Sequence, residues 1–306
     1  MRYRFIDEQK QRYPTGLLCR VMHVSRSAYH AFASGRSYAP SASKAELGAQ
    51  VKEVFFAHRR RYGSRRIRAE LQARGTSVGR FAVRSLMKRF GLRAIAAKRF
   101  MPQTTDSRHN LTPAPNLLLD GANAAHKPGE VLVGDITYLP MRSGKWSYLA
   151  MWQDRFSKRV VGWAVEERMT EELIIKAFER AVAAGSVSAG TIIHTDRGSQ
   201  YVSKGFRALL AANKCRQSMS RRANCWDNAQ AESLFSRYKA ELLEGGMFED
   251  TPQARSETFS YIEGYYNRAR RHSSLGYNTP EEFEHEWAIN NYQKEAQSER
   301  IVSRKT

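Results

Sequence analysis

The sequence predicts an α/β core domain preceded by all-α helix-turn-helix modules, and three observations carry that expectation. Between residues 126 and 245, β-rich apolar runs alternate with helical stretches in the order βββαβαβα. Before them, two helix-break-helix patterns occupy the first 92 residues. Charge divides along the same line. Residues 1–110 carry 24 Lys plus Arg against 6 acids, a net of +18, whereas residues 111–306 carry 26 against 24, a net of +2.

The first helical pattern is PTGLLCRVMHVSRSAYHAFAS, residues 14–34. Its apolar stretch ends near Met22, and Ser25 caps a second short helix carrying Arg26 and His30. The second is YGSRRIRAELQARGTSVGRFAVRSLMKRFGL, residues 62–92, with Gly75 as the break and Ser77 as the next cap. In its later helix Val83, Leu86, Met87 and Phe90 recur at i, i+3, i+4 and i+7 and form the core stripe. Arg80, Arg84 and Lys88 form another stripe. On the second helix of such a module, in the most basic third of the chain, that stripe reads as a groove or phosphate contact, the alternative being a solvated helix face.

Pro102, Pro113, Pro115 and Pro128 mark a linker with few periodic apolar positions. The strands VLVGDITYLP, WSYLAMWQD and RVVGWAVE follow, the first two joined by a turn at Arg142–Lys145. A helix runs from about Thr170 to Ala184, capped by Thr170 with Glu171 and Glu172 in its first turn. The strand GTIIHT, a helix at about 203–213, a short strand CRQSM and a helix from about Asp227 to Leu243 complete the series. Three antiparallel strands extended by βα units describe a layered α/β domain of ribonuclease-H-like type. The expected division is a first helix-turn-helix-like segment at 1–38, a second DNA-binding module at 44–99, a linker at 100–125, a core at 126–245 and a C-terminal helical extension at 246–306.

Within that core three carboxylates stand out. Asp135 lies mid-strand among Val133, Ile136, Thr137 and Leu139, where an unpaired carboxylate costs several kcal/mol. It requires a salt bridge, several hydrogen bonds or a metal. Asp196 follows the strand GTIIHT at the sheet's carboxyl edge, where α/β folds place ligands, although Asp-x-Gly there is also ordinary turn chemistry. Glu232 shares a helix stripe with Ser236 and Lys239, away from the apolar stripe of Leu234, Phe235, Tyr238 and Leu242. Singly, each acid has a structural explanation. Together they occupy one sheet edge, with 35 residues between Asp196 and Glu232. Three carboxylates without His or Cys partners suit hard cations, Mg²⁺ or Mn²⁺, and not zinc. Two such ions roughly 4 Å apart support in-line phosphoryl transfer without a covalent protein intermediate.

The bulk properties agree with a nucleic-acid partner. The formal charge is +20, and neutralising phosphates releases condensed counterions, which strengthens binding. A membrane surface is the weaker alternative. No apolar run reaches the roughly 18 residues of a membrane span, and Met1–Lys10 is too charged for a signal peptide, so a cytoplasmic, nucleoid-associated location is expected. Cys19, Cys215 and Cys225 read as free thiols. Cys19, His23 and His30 lack a fourth zinc ligand at knuckle spacing, and ordinary helix packing is the better account of them.

The ordered motifs YGSRRI at 62–67, GDITYL at 134–139, YLAMWQDRFSKRVVGW at 148–163, HTDRGSQY at 194–201, SMSRRANCWDNAQAES at 218–233 and YYNRARRHSSLGYNTPEEF at 265–283 cover nearly the whole chain. With them the chain resembles the catalytic OrfB subunit of bacterial insertion-sequence transposases of the insertion sequence three group, within the retroviral integrase superfamily. The resemblance implies an integrase-type core and a DDE-type DNA transposase that cleaves at element ends and transfers the 3′-hydroxyl strand. It assigns metal ligation and catalysis to Asp135, Asp196 and Glu232, with two Mg²⁺ ions, Mn²⁺ being possible. It assigns DNA-end contact to Lys239, and Arg65 and Arg66 of YGSRRI join Arg80, Arg84 and Lys88 as DNA contacts. His194, Gln200 and Asn228 become supporting residues, His194 with simple packing as its alternative. Asn267, Arg270 and His272 match a C-terminal motif of open role. Leu132 departs from the family, standing where Trp is usual. The implied partners are the element's terminal repeats, target DNA, further copies of the chain on DNA and a fused or associated upstream-frame product. A plain nuclease or a non-catalytic repressor of the element are the competing functions.

Overall fold

The apolar spacing of the first third folds into two three-helix units. The computed structural model describes residues 1–35, 42–96, 112–121, 123–221 and 225–303. Helices α1 (Arg2–Gln9), α2 (Thr15–Val21) and α3 (Arg26–Ala33) close around Ile6, Leu18, Cys19 and Tyr29. The Ser25 hydroxyl accepts the Ala28 N–H at 3.1 Å, the expected cap of α3. Cys19 is packed in this small core, and among the described residues no His, Cys, Asp and Glu group could hold a metal there.

The second unit comprises α4 (Ala42–Ala57), α5 (Ser64–Ala73) and α6 (Arg80–Arg89). Val83 and Met87 are buried, and Leu86 packs half-buried against the same core. The break falls at Gly75, whose φ of +85° favours glycine. Ser77 is not the cap. The helix begins three residues later, after Gly79, because the chain first carries Val78 into the core before it can turn.

The linker expected at 100–125 lies partly outside the described residues. Residues 112–121 run along the α/β core, where Leu117 N–H donates to the Ser218 hydroxyl at 2.9 Å and Met219 N–H to the Pro115 carbonyl at 3.3 Å. The core is one five-stranded sheet: β1 (Val131–Pro140), β2 (Trp146–Asp154), β3 (Val160–Glu166), β4 (Ile192–Thr195) and β5 (Arg216–Met219), ordered β3-β2-β1-β4-β5. The first three strands are antiparallel, and β4 and β5 add in parallel. Helix α7 (Glu171–Ala183) supplies the crossover to β4, and α8 (Lys204–Ala212) that to β5.

The two sheet faces have different covers. Leu132, Ala150, Trp152 and Ala164 face α7 and α8, where Ile174, Phe178, Phe206 and Leu210 complete one core. Leu139, Leu149, Met151, Trp163 and Val165 face α9 (Ala229–Tyr238) and α10 (Thr251–Phe259). The turn after α9, Lys239–Leu243, and that after α10, Ser260–Tyr266, are π-helical. Residues 248–266 are therefore a layer on the sheet, with Phe248, Ala254, Tyr261, Ile262 and Tyr266 in its core. Helix α11 (Pro280–Ser303) follows.

Glycine sets the approach of α7 to β3. A Cβ on Gly162 would stand 2.2 Å from the Ala177 carbonyl oxygen and 2.9 Å from the Ala181 nitrogen, both backbone atoms that cannot turn aside. Gly162→Ala should therefore push α7 off the sheet and cost about 1–3 kcal/mol, as overpacking does. A lowered urea midpoint for unfolding is the expected reading, and an unchanged midpoint would show that α7 is not held so closely.

Candidate active site

The site starts from strand register. Val133 of β1 pairs with His194 of β4 in parallel, so Asp135 and Asp196 each stand two residues beyond that pair. Asp135 lies in β1 on the same face as Val133, and Asp196 follows the end of β4, so the two aspartates come to the same end of neighbouring strands. Gly134 makes room for this on the opposite face: a Cβ there would meet the Trp152 ring at 2.2 Å, so the indole lies flat over the strand beside Asp135. Asp196 follows the last residue of β4, and its Oδ1 accepts the Gly198 N–H at 3.0 Å. The Asp-x-Gly turn and the candidate ligand are the same structure. A Cβ at Gly198 would stand 3.2 Å from Asp196 Oδ1, so glycine also keeps that carboxylate clear.

Asp135 Oδ1 accepts the Ile136 N–H at 2.8 Å. Burial first, and then the charge of Asp196, hold the Asp135 carboxyl well above the usual carboxylate range. Glu232 contributes a smaller push in the same direction, and Lys239 opposes it. Glu232 lies in the first turn of α9 on its solvent side, with its own carboxyl raised by partial burial. Lys239, seven residues on, is half-buried; burial lowers its ammonium, and Asp135 works against that. The fold thus brings Asp135, Asp196, Glu232 and Lys239 into one electrostatic neighbourhood, in which the two aspartates are the innermost pair. Among the described residues no three ligand-type side chains converge closely enough to enclose an ion as they stand. The oxygen-only donors still match a hard cation by chemistry, with Glu232 as the outermost of them.

His194 ties these elements together. It is fully buried, with Nδ1 2.8 Å from the Ser218 hydroxyl and Nε2 3.0 Å from the Asp227 carbonyl. A carbonyl only accepts, so Nε2 carries the proton and Nδ1 accepts from Ser218. Burial pushes its pKa down to about 4, which keeps the ring neutral at pH 7. It therefore fastens the strand of Asp196 to the residues entering the helix of Glu232. Asp227 is itself held by Arg221, through its N–H at 2.8 Å and its guanidinium at 3.1 Å, and by Asn116 at 2.9 Å. Asn228 is buried with no partner for Oδ1 among the described residues. Gln200 Nε2 reaches the Met169 carbonyl at 3.4 Å. The side chain of Trp226 lies outside the described residues.

Arg80, Arg84 and Lys88 are exposed on α6, and Arg65 on α5. Arg66 points the other way, 3.8 Å from the buried Glu241. Its guanidinium is not offered to a phosphate as it stands. The sequence reading missed Glu241, whose partner Arg270 lies 29 residues away with no local pattern to link them. Tyr201 was legible only as part of a motif. In the structure its buried hydroxyl has no hydrogen-bond partner among the described residues, and burial, then Asp135 and Asp196, raise its pKa.

The raised Asp135 value has a stability consequence. The native chain binds that proton more tightly than the unfolded chain, so the favourable contribution is full below the unfolded value, about 3.9, and is lost as pH rises through the folded one. Without metal at pH 7, Asp135→Asn should unfold at a higher temperature than the parent, with a gap that shrinks toward pH 4. Adding Mg²⁺ or Mn²⁺ should raise the parent's midpoint and leave the variant's unmoved. Equal responses of both proteins would remove Asp135 from the metal site.

Comparison with known proteins covers most of the chain. Residues 125–225 match the family described as integrase core domain, residues 213–280 match a second integrase core domain family, and residues 42–100 match an HTH-like domain. The insertion element IS600 uncharacterized 31 kDa protein of Shigella sonnei is 39% identical over 266 residues, 87% of this chain and 97% of that one. The transposase InsF for insertion sequence IS3A of Escherichia coli (strain K12) is 36% identical over 286 residues, 93% of this chain and 98% of that one. The HTLV-2 integrase catalytic core domain in complex with magnesium (dimeric form) aligns with 53% of this chain and 98% of its own, at 19% identity and a TM-score of 0.38. Among the described residues no helix is long and apolar enough to cross a membrane.

Proposed function

The chain belongs to the insertion-sequence transposases of the IS3 type, the family of InsF, and we propose that Asp135, Asp196 and Glu232 form the DDE triad with which it performs DNA transposition. The observation that carries this reading is the parallel pairing of β1 with β4, which leaves Asp135 and Asp196 each two residues beyond the Val133–His194 pair. Two carboxylates held together and partly buried repel when both are ionised, and a hard cation between them relieves that repulsion. Two divalent ions, when bound, supply activation of the attacking oxygen and stabilisation of the leaving one.

The chain's own residues do the rest. Asp135 and Asp196 hold the inner positions on rigid strands, and Glu232 closes the set from the first turn of α9. Lys239 stands beside them, where a DNA phosphate meets its ammonium. In the first step water attacks at the element's end, freeing a 3′-hydroxyl. In the second that hydroxyl attacks the target strand, and the same geometry serves both. His194 and the Asp227 loop keep α9 in place relative to β4, with Gln200 and Asn228 as further supporting residues.

DNA recognition falls to the second helix-turn-helix unit, at 44–99, with Arg80, Arg84, Lys88 and Arg65 as its contacts. Pairing of two element ends calls for more than one copy of the chain, and fusion or association with an upstream-frame product belongs to the same proposal. A repressor needs only the basic modules and leaves the two aspartates without a use, and a plain nuclease leaves the modules without one.

Joining of labelled terminal duplexes from the chain's own element, in Mg²⁺, tests the reading. Asp135→Ala, Asp196→Ala and Glu232→Ala should each lower joining by roughly a thousandfold, the scale on which loss of a partner for developing charge acts, with end binding retained. Joining that survives in all three would sink the triad. Arg84→Ala should instead weaken binding and reduce the slope of log K against log salt by about 1.

A further inference from the structure

Glu241 is a carboxylate on which two parts of the chain converge. It lies in the π-helical turn after α9, two residues beyond Lys239, and is 8% exposed. Arg270, fully buried, grips it as a fork, with Nη2 2.6 Å from Oε1 and Nε 2.8 Å from Oε2, and the Tyr261 hydroxyl donates at 2.9 Å. Tyr261 belongs to the layer that covers the sheet, and Arg270 to the segment that follows it. Two more cations reach it from the second helix-turn-helix unit: Arg66 at 3.8 Å from Oε1, and Arg61, whose Nε donates to the Glu241 carbonyl at 3.0 Å. The Arg61 guanidinium lies over the rings of Tyr265 and Tyr261, at 4.5 and 5.1 Å.

The contacts around this centre are directional. Tyr62, also fully buried, donates its hydroxyl to the Ala269 carbonyl at 2.9 Å and accepts the Arg271 N–H at 2.8 Å. Arg271 Nε donates to Glu70 at 2.6 Å, and the His58 ring stacks on Tyr62 at 3.7 Å. A hydroxyl that reads one carbonyl and an N–H two residues on cannot slip by a residue without losing both bonds. The segment 58–71 therefore docks in one register.

We infer that this docking makes Arg61 and Arg66 positioning residues of the active site: they fix the turn that follows Lys239, and so hold Glu232, Lys239 and the DNA-facing stripe of α6 in one frame. The idea rests on the transposase reading for its chemical consequence, but the lock itself is a property of the fold. A DNA end held on Arg80, Arg84 and Lys88 then arrives at the carboxylates in a set position.

The test compares the full chain with Arg66→Met, which keeps an unbranched stem but removes the guanidinium and leaves the Arg270 fork and Tyr261 on Glu241, and with Arg66→Lys. Hydrogen exchange at residues 238–243, affinity for a duplex spanning one terminus of the element, and the joining rate of the bound complex are measured. For Arg66→Met we expect affinity within about twofold, at least tenfold faster exchange at 238–243 and at least tenfold slower joining, with Arg66→Lys intermediate. If Arg66→Met does not fold, Tyr62→Phe, which removes only the bridging hydroxyl, takes its place with the same expectations. Unchanged exchange at 238–243 overturns the lock whatever the chemistry does, and unchanged joining with faster exchange overturns the positioning role. A parent chain that joins no ends, while exchange still responds to the substitution, overturns the transposase reading and not the lock.

Discussion

The parallel pairing of β1 with β4 is the constraint on which the rest of the structure depends. It brings Asp135 and Asp196 together, so that after burial the charge of Asp196 is what holds the Asp135 carboxyl well above the usual range. Lys239 and the Ile136 N–H offset part of that cost, and the surrounding protein bears the rest. The apolar cluster of Trp152, Phe178, Tyr201 and Phe206 provides the support from one side, with the Trp152 ring laid against Gly134. In the proposed triad that pair is where a cation would bind.

The two faces of the sheet divide the labour. On one, α7 comes so close that Gly162 is needed, and the packing is apolar throughout. On the other, α9 carries Glu232 and Lys239 over the aspartates, and its end is held by ionic and hydroxyl contacts instead of by shape alone. In the proposed triad Glu232 sits on that face, where α9 is steered by a few named contacts: His194 and Asp227 at its start, Glu241 at its end.

Much of this was legible in the chain itself. The five strands and the helices between them declare themselves by period and by turn residues, because a buried sheet admits few alternatives to long apolar runs. The three acids were legible only jointly, each alone having a bland explanation. What escaped was non-local. Ser77 looks like a cap, but the core claims Val78 first and the helix starts after Gly79. Residues 248–266 read as an appendage because Ala254, Thr258 and Tyr261 meet the sheet through a helix whose turns change from α to π, which blurs any fixed period. Arg66 reads as a phosphate contact because a basic motif shows its charge and not its direction, and that direction is set by Glu241, 175 residues away (241 − 66).

Magnitudes decide which contacts between the second module and the sheet's cover carry information. Arg60 and Glu244, 3.6 Å apart with about half of each side chain exposed, form the kind of pair that contributes about 0–1 kcal/mol and is screened by salt. Such a pair tolerates shifts of an ångström or more and could not hold a register. Glu241 is different in kind, since removing a partner from a buried ion pair leaves an uncompensated charge, at a cost of about 3–5 kcal/mol. Tyr62 adds two backbone bonds, each about 1 kcal/mol net but far more demanding of direction. The steepest losses on slipping thus come from buried, directional contacts, of which those on Glu241 lie within a turn of Lys239. A DNA-binding unit tied to its catalytic partner only by surface pairs would sample many orientations, and transfer at a single phosphodiester bond requires one.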